Sequence, residues 1–257
     1  MEKFAIVRRP DEVSASLCEQ IETRLIDSGR IKDQENPDTV FVIGGDGTFI
    51  YAVHQYLNVL EHVRFYGIHT GTLGFYTDYR DCDLERFMKD YCDGSGREVQ
   101  YPLLEVKKGK DIYYGINEMR IENSARTQRM DIYLNGQKFE EYRGTGMLVC
   151  TQLGSTAYNR SLNGAVVQEG IDVLQMSEIA GIHHSEYRSL GSSLIMNAET
   201  EVTFVSQNFD GALLGVDADV YSIGSEQRIA VKMCPKKKVR MYRGRNVSYF
   251  SRLNSLF

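Results

Sequence analysis

A carboxylate set among three glycines is the most chemically pointed feature of this sequence. Gly44-Gly45-Asp46-Gly47-Thr48 follows the uncharged run Thr39-Val40-Phe41-Val42-Ile43 and precedes apolar residues at Phe49, Ala52, Val53, Tyr56 and Leu57. The pattern predicts a buried strand, a tight turn and a helix opened by Thr48. Glycines at 44, 45 and 47 allow positive φ and close ligand approach, and the first N–H groups of a helix have no partner within it. Such a turn suits bound phosphates. Asp46 would repel them unless it carries a metal or takes a proton from a hydroxyl, which makes it the candidate catalytic group; the bland alternative is an ordinary cap. The stretch is neither of the common nucleotide loops. There is no G-x-x-x-x-G-K-[ST], and G-x-G-x-x-G fails because Gly45 and Gly47 are followed by Ile50.

Two further polar clusters lie downstream. Asn117-Glu118 sits among strand-like residues, and Gly144-Thr145-Gly146 leads through an apolar strand into Thr151-Gln152-Leu153-Gly154-Ser155-Thr156-Ala157-Tyr158. An adjacent amide and carboxylate can donate to and accept from a ribose diol. The alternative is a hairpin end and a loop bonded to their own backbone.

The elements that position these groups fall into two textures. Up to about residue 95, strand and helix alternate. Phe4 to Val7 reads as a strand, Leu17, Ile21 and Leu25 as a helix face, Arg64 to Ile68 as a strand, and Leu84, Phe87, Met88 and Tyr91 as another helix face. Alternation of this kind implies a mostly parallel sheet with ligands at the carboxyl ends of its strands. The loop His69 to Phe75 is therefore expected to face the Gly44 to Thr48 turn. After Asp93-Gly94-Ser95-Gly96 come short runs with turn residues between them. Met130 to Leu134 and Gln137 to Tyr142 flank Asn135-Gly136, the preferred pair for a type I′ hairpin. Further strands are expected at Val99–Val106, Ile112–Ile121, Met147–Cys150, Glu201–Ser206, Leu213–Val216, Gln227–Met233 and Lys237–Tyr242. The expected domains are residues 1–96, α/β, and 97–257, β-rich, with a C-terminal tail able to pack back on the first.

Composition excludes several function classes. With 257 residues the chain has the composition of an ordinary globular protein, and its net charge of −5 argues against a nucleic-acid binder. No apolar run approaches the roughly 18 residues of a membrane helix, and no signal-peptide core follows Met1. Five scattered cysteines without a C-x-x-C point to reduced thiols in a cytoplasm. Pro235 to Arg240 reads as an edge strand with a solvated basic face, His183-His184 would point to opposite faces of a strand, and no cluster has zinc spacing. Gly154-Ser155-Thr156 lacks the G-x-S-x-G of a hydrolase elbow.

Gly-Gly-Asp-Gly-Thr after a hydrophobic strand resembles the signature of the NAD kinase family, shared more loosely with diacylglycerol kinase-like and phosphofructokinase-like enzymes. Members of that family carry, in order, this turn, an Asn-Glu pair, a segment like Thr-Pro-Ser-Gly-Ser-Thr-Ala-Tyr and a late Asp; the chain has a counterpart of each, over residues 1 to about 245. The resemblance implies a Rossmann-like α/β N-terminal domain, an all-β-rich C-terminal domain and phosphorylation of the adenosine ribose 2′-hydroxyl of NAD to give NADP. It makes Asp46 the proton acceptor and puts Gly44, Gly45, Gly47 and Thr48 around the phosphates. Asn117 and Glu118 become ribose ligands, Thr156, Ala157 and Tyr158 lie along the dinucleotide, Asp217 is the late Asp, counted with them among the dinucleotide contacts, and Phe75 and Tyr187 are aromatic contacts to the bases. It further implies ATP or polyphosphate as donor, a divalent metal such as Mg²⁺, and a homodimer or homotetramer sharing its sites. Five positions depart from the pattern: Thr145, counted among the dinucleotide contacts, replaces an acid, Gln152-Leu153 replaces Pro and Ser or Thr, Asn163 replaces a Gly, and Ala218 replaces a Gly or His. The alternatives are a related lipid or sugar kinase and a dinucleotide-binding sensor with reduced turnover.

Overall fold

The computed structural model describes residues 1–71, 73–183, 189–244 and 248–254. The chain divides into two compact units, Met1–Tyr101 with Lys237–Phe257, and Pro102–Lys236. Where the sequence suggested one cut at 96/97, the units are cut twice, and each cut falls inside a long strand, Arg97–Lys108 or Arg228–Arg243. Composition changes at Asp93 to Gly96, just before the strand Arg97–Lys108 begins, but the cut itself falls within that strand, which carries no punctuation of its own.

In the first unit the elements are β1 (Lys3–Arg8), α1 (Glu12–Asp27), β2 (Ile31–Lys32), β3 (Thr39–Ile43), α2 (Asp46–Gln55), β4 (Arg64–His69), β5 (Tyr79–Arg80), α3 (Leu84–Asp93) and the start of β6 (Arg97–Lys108). The strands form a parallel sheet in the order β2-β1-β3-β4-β5, in register from Phe4↔Thr39 to Arg8↔Ile43 and from Thr39↔Arg64 to Ile43↔Ile68. Every residue of β3 is buried, as expected for a strand covered on both faces. Asp11 caps α1 by accepting from the Ser14 amide, and Leu17, Ile21 and Leu25 turn to the core. There Phe4, Phe41, Tyr66, Phe87 and Tyr91 pack with ring centroids 5.1 to 6.3 Å from Phe41. Burying each such side chain contributes roughly 1.5–3 kcal/mol.

The second unit continues β6 and adds β7 (Asp111–Gly115), β8 (Glu118–Glu122), β9 (Gln128–Leu134), β10 (Gln137–Cys150), α4 (Tyr158–Ser161), β11 (Val173–Gly181), β12 (Leu194–Asn197), β13 (Val202–Val205), β14 (Leu213–Val216), β15 (Asp219–Ser222) and the start of β16 (Arg228–Arg243). Antiparallel pairing runs β15-β14-β8-β10-β9-β13-β16, with β11 also on β10 and β12 on β11. Asn135 and Gly136 have φ of 50° and 80°, the type I′ geometry their identities specify. The single strand expected over Ile112–Ile121 is interrupted at Ile116-Asn117, and the two expected at Gln227–Met233 and Lys237–Tyr242 are one strand running through Pro235.

From Lys237 the chain again belongs to the first unit, where β16 runs parallel to β4 with Arg240↔Arg64 and Met241↔Phe65. Val239 and Met241 are buried, while Arg240 pairs with Glu98, so this basic stretch has a buried and a solvated face. The last helix, α5 (Tyr249–Asn254), brings Arg252 to Asp78. Among the described residues no helix is long and apolar enough to cross a membrane.

Candidate active site

Asp46 opens α2, two residues before the expected Thr48, with Gly45 as N-cap. Gly45 has a φ of −102° and Gly47 lies inside the helix, so neither takes the positive φ the sequence suggested. What both offer is room: a Cβ on either would meet nothing within 4 Å. Gly44 is different, because a Cβ there would collide with the Thr48 side chain. The loop after β4 returns over this turn, as expected. Asp46 Oδ2 accepts from the Phe75 amide and Oδ1 from the Tyr76 amide, each at 3.0 Å. Gly74 makes that approach possible, since a side chain on it would strike the Asp46 carboxylate. Both oxygens are thus anchored while each keeps a further lone pair for an incoming hydroxyl. Phe75 contributes its backbone: its ring is 8% exposed and packs edge-on against Tyr249 at 6.3 Å, and its carbonyl accepts from Arg243.

The Asn117-Glu118 pair lies in the second unit, at the start of β8. Asp217, with a φ of +50°, extends its carboxylate to the amides of Ile116 (2.8 Å), Asn117 (2.8 Å) and Glu118 (3.2 Å). The late Asp therefore shapes the turn that presents the pair. The segment after β10 closes on the same turn. Thr151 donates from its amide to the Asn117 carbonyl (2.9 Å) and from its hydroxyl to the Ile116 carbonyl (2.7 Å). Gly154 sits where any Cβ would collide with the Asn117 carbonyl. Sequence motifs some 35 residues apart are in this way one structure.

Glu118 is 6% exposed, and its Oε2 has no hydrogen-bond partner among the described residues. Burial, assisted by the negative Asp217 nearby, raises its pKa to about 8. A buried, unsatisfied carboxyl is costly unless something else binds it. Tyr158 is held by its hydroxyl, which donates to Glu122 (2.9 Å), itself paired with Arg120 (2.7 Å). Thr156 turns its hydroxyl to the Leu153 carbonyl (3.2 Å), and Ala157 precedes α4.

Thr145 is not part of this group. Cys150 pairs with Glu118 and Gly146 with Glu122, so Thr145 stands five residues further along β10, roughly 17 Å away at the usual strand rise. It lines a separate cavity of about 240 Å³ with Asn123, Gly144, Ala180 and Ile182. Tyr187 and His184 lie outside the described residues, and His183 is beside Glu178 at 3.3 Å. Among the described residues no group of three His, Cys, Asp or Glu side chains could hold a metal ion. The sequence reading overlooked Gly74 and the Tyr76 amide, for which a glycine in a loop expected to face the turn was the available signal.

Residues 116–243 match the family described as ATP-NAD kinase C-terminal domain. NAD kinases of Streptococcus pneumoniae strains Hungary19A-6 and JJA are 39% identical over 255 residues, spanning 97% of this chain and 93% of theirs. The chain belongs to the NAD kinase family. Two solved structures share the fold. Yeast NADH kinase complexed with NADH superposes with a TM-score of 0.81 at 16% identity, covering 100% of this chain and 86% of that one. An NAD kinase from Archaeoglobus fulgidus in complex with ATP gives 0.77 at 19% identity, covering 98% and 99%. Membership in the NAD kinase family sets aside a lipid or sugar acceptor.

Proposed function

We propose that the protein transfers a phosphoryl group from ATP to the adenosine ribose 2′-hydroxyl of NAD, giving NADP, with Asp46 as the proton acceptor. The observation that carries the base assignment is a carboxylate fixed by two backbone amides beside two open glycines at a helix start. Phosphoryl transfer passes through a loose transition state, so positioning of the hydroxyl and charge stabilisation dominate. Asp46 orients the hydroxyl and takes its proton late, the amides near Gly45 and Gly47 meet the phosphates, and Asn117 and Glu118 hold the ribose. The unpartnered Oε2 of Glu118 supports the last role, because a sugar hydroxyl would satisfy it.

A divalent cation fits this arrangement as a companion of the donor. Asp46 is one carboxylate, and Mg²⁺ is commonly bound through one or two carboxylates plus substrate phosphates. Bound there, it would neutralise phosphate charge. The distance between Thr145 and Glu118 supports a homodimer or homotetramer in which a second copy brings position 145 to the site, and five free cysteines support a cytoplasmic setting.

Purified protein given NAD, ATP and Mg²⁺, read by an NADP-specific dehydrogenase, is expected to form NADP only when donor is present; polyphosphate replaces ATP in a parallel arm. Binding of NAD without product from either donor would favour a sensor. Asp46→Asn is expected to lower kcat by about 10² to 10⁴ with NAD affinity retained. Since Asn also sets an NH₂ against one loop amide, hydrogen exchange at Phe75 and Tyr76 separates the lost base from a loosened loop. A kcat drop smaller than about tenfold would remove Asp46 from the proton transfer.

A further inference from the structure

We propose that Arg9 is the side chain that binds the phosphate chain of the donor; this rests on the kinase reading above. In the order β2-β1-β3-β4-β5, strand succession reverses between β1 and β3. Parallel sheets bind ligands outside the carboxyl ends of the strands at such a switch point. The two loops that flank it here are Gly44 to Thr48 after β3 and Arg8-Arg9-Pro10-Asp11 after β1. Their proximity is direct, because the Arg9 amide donates to the Ile43 carbonyl at 2.9 Å, next to Gly44.

The Arg9 side chain is set in place by a chain of polar contacts. Its Nε donates to Asp11 Oδ2 at 2.6 Å. Asp11 also caps α1 and accepts from the Ser14 hydroxyl (2.8 Å), which in turn meets the Thr70 hydroxyl at 2.9 Å. Thr70 begins the loop that ends on Asp46, so Arg9 and that loop bracket the glycine turn. A Cβ on Gly71 would stand 3.9 Å from Arg9 Nη1, placing the guanidinium over loop backbone. Gly71 also lines a cavity of about 610 Å³ with His69, Leu73, Arg80 and Asp81. The two terminal nitrogens of Arg9 have no hydrogen-bond partner among the described residues, and the side chain is about half exposed. A planar cation anchored through Nε, with Nη1 and Nη2 turned to the Gly71 loop and its backbone tied to Ile43 at the foot of the glycine turn, suits phosphate oxygens, which arginine meets in two-point contacts. Of the anions around it, Asp11 is spent on the clamp, and Asp81 shares its cavity with the cation Arg80.

The test compares wild type, Arg9→Gln, Arg9→Lys and Asp11→Asn for affinity toward MgATP and magnesium tripolyphosphate by equilibrium titration, alongside NAD affinity, thermal stability and NADP formation. Arg9→Gln is expected to weaken both phosphate ligands by about ten- to a hundredfold, the loss of one charged contact. Lysine should restore part of it. Asp11→Asn keeps an N-cap but weakens the clamp, and should weaken both ligands several-fold. NAD affinity should stay at the wild-type value in all three variants, and the melting temperature should do so in the two Arg9 variants. Unchanged affinity for both ligands in Arg9→Gln, or a loss confined to MgATP, overturns the proposal. Absence of NADP from wild-type protein would instead be a failure of the kinase reading, visible before any variant is made.

Discussion

Glu118 concentrates the chemistry of the second unit into one proton. Its pKa rises from 4.5 to about 8 chiefly because burial disfavours the anion, and Asp217 adds repulsion. The folded protein therefore keeps a proton that the unfolded chain releases above about 4.5. Stability from this group is present at low pH, is lost as pH rises from 4.5 through about 8, and falls no further above that. Glu118→Gln is neutral throughout and escapes the loss. The melting temperature of the variant should match wild type near pH 5 and exceed it by about 5 °C or more near pH 9, at about 1.4 kcal/mol for each tenfold change in proton affinity and about 2–4 °C per kcal/mol. Thermal melts of both proteins across this range decide it: a difference that does not change with pH would mean that Glu118 is ionised in the fold at every pH tested.

At the scale of elements, legibility in the sequence followed how purely burial dictated residue type. The fully buried β3 announced itself as five apolar or β-branched residues, and α1 and α3 as apolar stripes. Strand β11 was missed because its buried positions are partly polar: Gln175 and Ser177 are each 1% exposed, one accepting from the Ala165 amide, the other donating to Asn159. Hydrogen bonding satisfied those side chains where an apolar pattern would have signalled a strand. Strand β15 is mostly exposed and follows a turn made by Asp217 at positive φ without glycine, so neither pattern nor punctuation marked it. The same turn gives Asp217 a structural part. Family resemblance made it a dinucleotide ligand, whereas its carboxylate here gathers three amides of the turn that carries Asn117 and Glu118. Asp217→Ala should then speed hydrogen exchange at amides 116–118 in the absence of any ligand and weaken NAD binding by about ten- to a hundredfold. Weakened binding with unaltered exchange would return Asp217 to a direct contact.

At the scale of the molecule, the first unit is discontinuous: residues 237–257 return to it after the second unit is complete. The return is secured in the interior of the unit. Asp78, Arg243 and Arg252 are all buried, with Arg252 Nη2 at 2.7 Å and Arg243 Nη1 at 3.4 Å from Asp78 Oδ1, while Oδ2 accepts from the Gly244 amide at 2.7 Å. Arg243 also reaches the Phe75 carbonyl, so the returning chain holds the loop whose amides position Asp46. Removing one partner of a buried ion pair costs about 3–5 kcal/mol, because the other charge is left without compensation. In a chain of this size that corresponds to a fall in melting temperature of roughly 6–20 °C. Arg252→Ala should show such a fall and a reduced kcat, through a loop less firmly tied, while NAD affinity stays within about twofold because Asn117 and Glu118 belong to the other unit. Melting, kinetics and NAD titration on the same preparation test this together. An unchanged melting temperature would show that Arg243 alone neutralises Asp78 and that the last helix is not what closes the first unit.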